Sequence, residues 1–170
     1  VYGTLNLLIS LKQIEFKGRM LNISSSEVYG HPDKEQLPIT EDLRAKPLSP
    51  YAVNKISTEA LCYQWSQSES FEIVTARPFT HIGPGQSERF SISNFAKQIA
   101  EIMIGKRESV IYVGNINTTR DFTDVRDVVC AYRLLLLKGK NGSIYNICSG
   151  KEISISYLLN KLIQLSNMNI

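Results

Sequence analysis

The sequence predicts an α/β protein in which a parallel β-sheet carries helices on both faces. Two observations predict this fold class. Short apolar runs alternate along the chain with longer segments whose apolar residues recur at helical spacing. The segments between successive strands are too long for hairpins and long enough to hold a helix, which is typical of parallel strands. With 43% apolar residues among 170, the chain can bury a substantial core, which predicts a folded globular protein.

Four apolar runs are predicted to be β-strands. The first ends in a cluster of serines, and the second is followed by Arg77 and Pro78. Short runs of this kind, without an alternating polar face, are typical of strands that are buried on both sides. The predicted strands cover residues 20–24, 71–76, 110–113 and 144–148.

Five segments are predicted to be helices. The second begins at Pro50, because Ser49 is a favourable N-cap and proline fits the first helical position, and it continues to about Trp65. The third ends before Gly105 and the fourth before Gly139, since glycine commonly follows the end of a helix. The apolar stripes of the other four helices are Leu5, Leu8 and Ile9; Phe95, Ile99, Ile102 and Met103; Val125, Val128, Val129, Tyr132, Leu135 and Leu136; and Ile155, Leu158, Leu159, Leu162 and Ile163.

Composition argues against several classes of protein. The net charge of +3 is small and the basic residues are scattered, so no nucleic-acid partner is expected. No run approaches the roughly eighteen apolar residues of a membrane span, and no leader opens the chain. Cys62, Cys130 and Cys148 have neither paired nor metal-ligand spacing, which favours buried free thiols and no metal. A soluble, cytoplasmic protein is predicted.

The chain begins with Val1, and its opening helical pattern has no N-cap. We therefore expect it to be part of a longer protein.

The sheet is expected to bring polar residues together at one edge. In open parallel sheets, ligands bind beyond the carboxyl ends of the strands. Residues 24–27, 78–85 and 114–117 all follow predicted strands and are polar or rich in glycine. We expect these three segments to converge on one site.

Tyr51 and Lys55 are the strongest candidates for chemistry. Four positions apart on one helix, their side chains lie on the same face. An ammonium beside a phenol stabilises the phenolate, which makes the phenol a usable proton donor and acceptor near neutral pH. The Ser25 hydroxyl, at the end of the preceding strand, is placed to hold a substrate oxygen against Tyr51. A Tyr and a Lys at this spacing also occur by chance on helix surfaces, so the surrounding sequence decides.

Two motifs resemble the extended short-chain dehydrogenase/reductase family of nucleotide-sugar epimerases, dehydratases and reductases. They are Ser-Ser-Ser-Glu-Val-Tyr-Gly at 24–30 and Ser-Pro-Tyr-Ala-Val-Asn-Lys at 49–55. The resemblance implies an NAD(P)-binding Rossmann-type sheet. Residues 1–80 would form its second half, and residues 81–170 mostly a small substrate-binding part with a returning strand and helices. The family's glycine-rich turn does not occur in these 170 residues, so we expect the chain alone neither to bind NADP(H) tightly nor to turn over.

The resemblance also implies roles for the motif residues. Tyr51 would exchange the proton and Lys55 would bind the nicotinamide ribose, with Ser25 completing the catalytic triad. Ser25 and Ser26 would contact the substrate. Ser26 and Glu27 occupy positions that dehydratases fill with acidic residues, and the uncharged Ser26 favours simple reduction over elimination.

Further site residues follow from two other segments that resemble the family. In the loop at 77–86, Phe79 and His81 would face the nicotinamide, and Thr80 would contact substrate where the family usually has asparagine. In the segment 120–127, Arg120 would reach the substrate diphosphate, which suits a guanidinium. Lys97 is a second candidate for the diphosphate, but a solvated helix face is the better explanation for it.

Within the family, the segments at 81–86, 120–127 and 145–150 look most like those of GDP-4-keto-6-deoxy-mannose reductases. This implies reduction of a C4 ketone on a nucleotide sugar, with NADP or NAD as cofactor. Glu27 keeps a 4,6-dehydratase open, because a carboxylate there suits abstraction of the C5 proton. A 4-epimerase and a non-catalytic remnant without its cofactor half are further alternatives. The resemblance also implies a possible homodimer of the full-length protein through the Tyr51 helix.

Overall fold

A computed structural model of the chain describes residues 1–168. Within these residues the chain forms five α-helices and six β-strands. The helices are α1 Tyr2–Gln13, α2 Pro50–Ser68, α3 Ser91–Met103, α4 Val125–Lys138 and α5 Ile155–Ser166. The strands are β1 Arg19–Ile23, β2 Glu72–Pro78, β3 Thr80–Ile82, β4 Thr119–Asp124, β5 Ile144–Ile147 and β6 Glu152–Ser154.

The chain divides into two compact units. The first contains Val1–Phe79 and Arg126–Cys148, so the chain leaves this unit after β2 and returns with α4 and β5. The second contains Thr80–Val125 and the chain from Ser149 onwards.

The first unit is built on a three-stranded parallel sheet in the order β1-β2-β5. Its central strand β2 is buried along nearly its whole length. Side chains alternate between the faces of a strand, so Ile73 packs with α1 and α2, whereas Val74 and Ala76 pack with α4. The predicted α/β fold, a parallel sheet with helices on both faces, is confirmed.

The start of α2 is as predicted. The Ser49 hydroxyl accepts a hydrogen bond from the backbone N–H of Ala52 at 3.1 Å, and Pro50 is the first helical residue. This cap satisfies one of the N–H groups that a helix start leaves without a partner. It also fixes the first turn of the helix, which carries Tyr51.

The second unit has a mixed three-stranded sheet in the order β3-β4-β6, in which β3 and β4 are parallel and β4 and β6 antiparallel. Its core joins α3, α5 and the sheet through Ile92, Phe95 and Leu159. The sequence predicted none of these strands, because two of them have three residues and β4 is largely polar. The antiparallel pairing of β6 with β4 was likewise not predicted.

The predicted strand at 110–113 is also wrong, since these residues form no regular element. A side chain takes the place of a neighbouring strand. Gln98 on α3 accepts a hydrogen bond from the Tyr112 N–H at 2.8 Å and donates one to the Tyr112 carbonyl at 2.9 Å. Residues 114–117 therefore do not follow a strand, and the reason for placing them at the edge of the sheet is lost.

Because Gln98 is buried and bonds both backbone groups of Tyr112, we expect Gln98→Leu to lower the free energy of unfolding by about 1–3 kcal/mol. Chemical denaturation of the complete protein measures the loss. Gln64→Leu is the matched control, because Gln64 is exposed on α2 and bonds only the nearby Ser68 side chain. Equal effects of the two changes would contradict the role given to Gln98.

The three cysteines differ in their exposure. Cys62 is buried as predicted, and burial, with a smaller effect of Glu59, raises the pKa of its thiol to about 11. Cys130 and Cys148 are exposed, so the expectation of buried thiols is wrong for them: Cys130 lies on an outer face of α4 and Cys148 just beyond β5.

None of the helices in the described part of the chain has the length and apolar character that crossing a membrane requires.

Candidate active site

The first site element is the segment that follows β1, which we call the serine segment (residues 24–29). Ser25 is extended and caps a short 3₁₀ helix, Ser26–Tyr29, by accepting a hydrogen bond from the Glu27 N–H at 3.2 Å. Ser25 is buried, Ser26 is half-buried and Glu27 is exposed. The segment therefore offers a hydroxyl and a carboxylate beyond the carboxyl end of β1.

Gly30 ends this short helix, and no other residue fits there. Its φ is +68°, and a Cβ atom at this position would lie 2.2 Å from the carbonyl oxygen of Lys46. The backbone conformation therefore explains the glycine in the motif Val-Tyr-Gly at 28–30, because the chain turns sharply there and passes close to residue 46.

The second site element is the first two turns of α2, where the side chains of Tyr51 and Lys55 lie close together. Lys55 Nζ lies 5.5 Å from the centre of the Tyr51 ring. It also donates a hydrogen bond to the carbonyl oxygen of Ile23 at 2.7 Å. Because Ile23 is the last residue of β1, Lys55 ties Tyr51 to the strand end that carries Ser25. Tyr51 itself is 53% exposed, so its phenol is accessible to a ligand.

Phe79 is the remaining candidate in the first unit. It directly follows β2, and its N–H donates a hydrogen bond to the carbonyl of Ile147 at 2.8 Å. Its ring is tilted against the ring of Tyr29, with centroids 6.5 Å apart. Since β1 and β2 are parallel, Phe79 and the serine segment lie at the same edge of the sheet. The first unit thus brings Ser25, Tyr51, Lys55 and Phe79 to one edge.

The other candidates lie in the second unit. Thr80 and His81 are on β3, paired with Phe122 and Thr123 of β4, and Thr80 is exposed. Arg120 on β4 is exposed, and its guanidinium donates to the carbonyl of Thr119 at 2.7 Å. This leaves most of its donors available to an anion.

Lys97 on α3 is engaged with carboxylates of its own unit. Its ammonium lies 2.5 Å from Glu88 and 3.8 Å from Glu101. The hydrogen bond and the charge of Glu88 raise the pKa of Lys97 above its ordinary value. A phosphate group would have to compete with Glu88 for this lysine.

A family model described as GDP-mannose 4,6 dehydratase matches residues 1–170. The chain belongs to this family. Its expected membership of the extended short-chain dehydrogenase/reductases is confirmed.

Individual relatives include reductases as well as dehydratases. The chain is 45% identical to the GDP-6-deoxy-D-mannose reductase of Pseudomonas aeruginosa over 168 residues, which cover 99% of this chain and 55% of that protein. The structure of RMD from Pseudomonas aeruginosa, complexed with NADPH, superposes with a TM-score of 0.98 at 45% identity, over 100% of this chain and 57% of that one.

A more distant structure is the dTDP-glucose 4,6-dehydratase of Bacillus anthracis in complex with NAD. Its TM-score is 0.84 at 25% identity, over 99% of this chain and 52% of that one. Nucleotide-sugar epimerases are among the further matches. The chain thus spans little more than half the length of these relatives, and the neighbours were solved with NADPH or NAD.

The first unit contains a buried polar network that was not predicted from the sequence. Glu59 on α2 and Arg77 on β2 form an ion pair, with Arg77 Nη2 2.6 Å from Glu59 Oε2. Arg77 was noted only as the boundary of a strand, and Glu59 was not singled out. No local signal marks the pair: Glu59 lies one helical turn beyond Lys55, and its burial follows only from the tertiary fold.

The role of Asp121 in the second unit was also not predicted. Its carboxylate accepts hydrogen bonds from the N–H groups of Ser149, Gly150 and Lys151 at 2.8, 2.7 and 3.2 Å, and from the Ser149 hydroxyl at 2.9 Å. Asp121 therefore fixes the turn before β6 and anchors the strand that carries Arg120.

Proposed function

We propose that this chain is the catalytic and substrate-binding part of an NADPH- or NADH-dependent nucleotide-sugar reductase that reduces the C4 ketone of GDP-4-keto-6-deoxy-mannose. The observation that carries the proposal is the placement of Tyr51 and Lys55 beside the strand end that leads to Ser25. The similarity to a GDP-6-deoxy-D-mannose reductase supports the choice of substrate. Residues 1–80 would then contribute to the cofactor domain and residues 81–170 mostly to the substrate-binding part.

The residues of the first unit fit the nicotinamide end of the cofactor. Phe79 offers an aromatic face at the end of β2, and Lys55 offers donors for the ribose hydroxyls. The phenol of Tyr51 lies beside Lys55 and is exposed to solvent. The family resemblance implies a place at the nicotinamide end for His81 as well. A reduced nicotinamide held by these residues would supply the hydride for the ketone carbon.

The chain's own groups handle the proton. Tyr51 donates its phenolic proton to the ketone oxygen, and the C4 hydroxyl of the product forms. The ammonium of Lys55 stabilises the phenolate that remains until solvent returns a proton. Ser25 orients the ketone oxygen by donating a hydrogen bond to it. Ser26 and Thr80 would contact the sugar, and Arg120, with Lys97 as a second cation, would bind the diphosphate.

The test is to express the complete protein and follow NADPH absorbance with GDP-4-keto-6-deoxy-mannose. We expect one NADPH to be oxidised for each ketone reduced, with a 6-deoxy-hexose nucleotide as product. Conversion without net consumption of cofactor would overturn the proposal, because dehydration and epimerisation return the hydride to the sugar. Absence of turnover with any nucleotide sugar would favour the non-catalytic remnant.

A 4,6-dehydratase is the second candidate, and Glu27 is the observation that favours it. Its carboxylate is exposed one residue beyond Ser26, where it suits abstraction of a C5 proton. The name of the matching family model points the same way. Release of a 4-keto-6-deoxy sugar from GDP-mannose, lost in Glu27→Gln, would identify this activity.

The homodimer and the cytoplasmic location stay predictions. Exposed apolar side chains on the first two helices, including Leu7 of α1 and Val53 of α2, are compatible with a helical interface.

A further inference from the structure

A buried ion pair contacts the serine segment. Glu59 and Arg77 are each 4% exposed, and they are joined by two hydrogen bonds, from Arg77 Nη2 to Glu59 Oε2 at 2.6 Å and from Nε to Oε1 at 2.9 Å. Removing two charges from water is costly, and well-packed apolar residues often serve stability equally well. The pair therefore needs an explanation other than stability.

The ion pair holds the serine segment at both ends. At the first end, the Ser24 hydroxyl donates a hydrogen bond to Glu59 Oε1. At the other end, Arg77 Nη1 donates to the Tyr29 hydroxyl at 2.9 Å, and the guanidinium carbon lies 4.8 Å from the centre of the Tyr29 ring. Residues 25–28 lie between these anchors, and they include every side chain of the segment that has a proposed role.

The network continues beyond the ion pair. Burial raises the pKa of Tyr29 despite the opposing effect of Arg77, so the phenol stays protonated and donates to Asn146 Oδ1 at 2.7 Å. Asn146 is fixed in turn by Glu41, whose carboxylate accepts from its N–H at 2.7 Å. Among the described residues, no buried side-chain nitrogen or oxygen lacks a partner. Each group in the network therefore has a defined position.

The same two residues lie close along the chain to the other site groups. Glu59 is one helical turn beyond Lys55 on α2, and Arg77 is two residues before Phe79. Burial alone would lower the pKa of Arg77, but its bonds to Glu59 and Tyr29 outweigh this effect and raise it, so the guanidinium stays charged. One ion pair thus connects the end of β1, helix α2 with Tyr51 and Lys55, and the end of β2.

We infer that Glu59 and Arg77 are positioning residues. Acting through Ser24 and Tyr29, they hold Ser25 in the position that its catalytic role requires. The inference rests on the proposed function for the consequence in catalysis. Its structural part, that the serine segment is ordered by the pair, does not depend on the reaction.

The first test measures order in the serine segment of the complete protein by amide hydrogen exchange. The protected amides are those of Glu27, Val28 and Gly30, whose N–H groups bond within the segment. We expect Ser24→Ala and Tyr29→Phe to raise exchange there at least several-fold. Tyr145→Phe is the matched control: Tyr145 is partly buried, and its hydroxyl accepts one hydrogen bond, from the Lys140 N–H. Unchanged exchange in both variants would overturn the inference.

The second test is a double-mutant cycle with Ser25→Ala, read as kcat for NADPH oxidation. If Tyr29 acts through Ser25, Tyr29→Phe should lower kcat by about tenfold in the normal protein and by less than about twofold in the Ser25→Ala background. A residue that only stabilises the fold would give the same factor in both backgrounds, and that result would overturn positioning.

The two readouts separate this inference from the proposed function. Faster exchange in the variants of a protein that does not oxidise NADPH with the ketone would refute the reductase and support the ordering role of the pair. Normal NADPH oxidation with equal factors in the cycle would support the reductase and refute the positioning role. Glu59→Gln serves as the stronger variant, and the two milder changes keep the test valid if that protein fails to fold.

Discussion

Tyr51→Phe is expected to lower kcat of the complete protein by about 10²–10⁴-fold, the range that a positioned proton donor contributes. The change removes one hydroxyl and leaves the ring, which is 53% exposed and lies 5.5 Å from Lys55 Nζ. Folding and cofactor binding should therefore be nearly unchanged. Stopped-flow absorbance of NADPH, with the KM of each substrate measured in parallel, checks this result.

Tyr63→Phe is the matched control for this experiment. Tyr63 lies on the same helix, is 60% exposed, and is three turns away from Tyr51. We expect its kcat to stay within about twofold of the original value. If Tyr51→Phe also stays in that range, Tyr51 is not the proton donor, and water or Ser25 must deliver the proton instead.

The first unit could be predicted well because its signals are local. Ser49 and Pro50 mark a helix start by backbone chemistry alone, and the apolar run that contains Ile73 and Val74 marks a strand buried on both faces. The Tyr51 and Lys55 pair was found because helical geometry fixes which side chains share a face. In each case the interactions that decide the structure lie within a few residues in the sequence.

The parts that could not be predicted depend on distant partners. Residues 110–113 have the composition of a strand, but Gln98, on another element, bonds the backbone of Tyr112. The ion pair of Glu59 and Arg77 joins two elements across 18 positions, and neither residue has an unusual neighbour in the sequence. A buried charge can be recognised only when its burial is known, which requires the tertiary fold.

Arg120 and Lys97 illustrate the same limit for binding residues. Both are cations on the second unit that were considered for the diphosphate, with a solvated helix face preferred for Lys97. The structure distinguishes them, because Lys97 is paired with the Glu88 carboxylate at 2.5 Å, whereas the Arg120 guanidinium donates to the uncharged backbone carbonyl of Thr119. Arg120 is therefore the stronger candidate for the diphosphate.

Lys55→Met is expected to have the second-largest effect on activity. Unlike Tyr51→Phe, it should change the binding of NADPH as well as kcat. The ammonium bonds the Ile23 carbonyl at 2.7 Å and faces the Tyr51 ring, and its proposed role includes the nicotinamide ribose. We expect kcat to fall by about 10²-fold or more and the KM for NADPH to rise by about tenfold. The change removes the ammonium that stabilises the phenolate and that binds the cofactor ribose. Lys161→Met, at an exposed site on α5, is the control and should change neither.

The combination of the two changes tests whether Lys55 acts through Tyr51. With phenylalanine at position 51 there is no phenolate to stabilise, so Lys55→Met should then lower kcat little further. The rise in KM for NADPH should persist, because ribose binding does not require the phenol. A full additional loss of kcat in the Tyr51→Phe background would show that Lys55 acts on the reacting groups independently. The ammonium would then contribute to the reaction by a route that does not pass through the phenol.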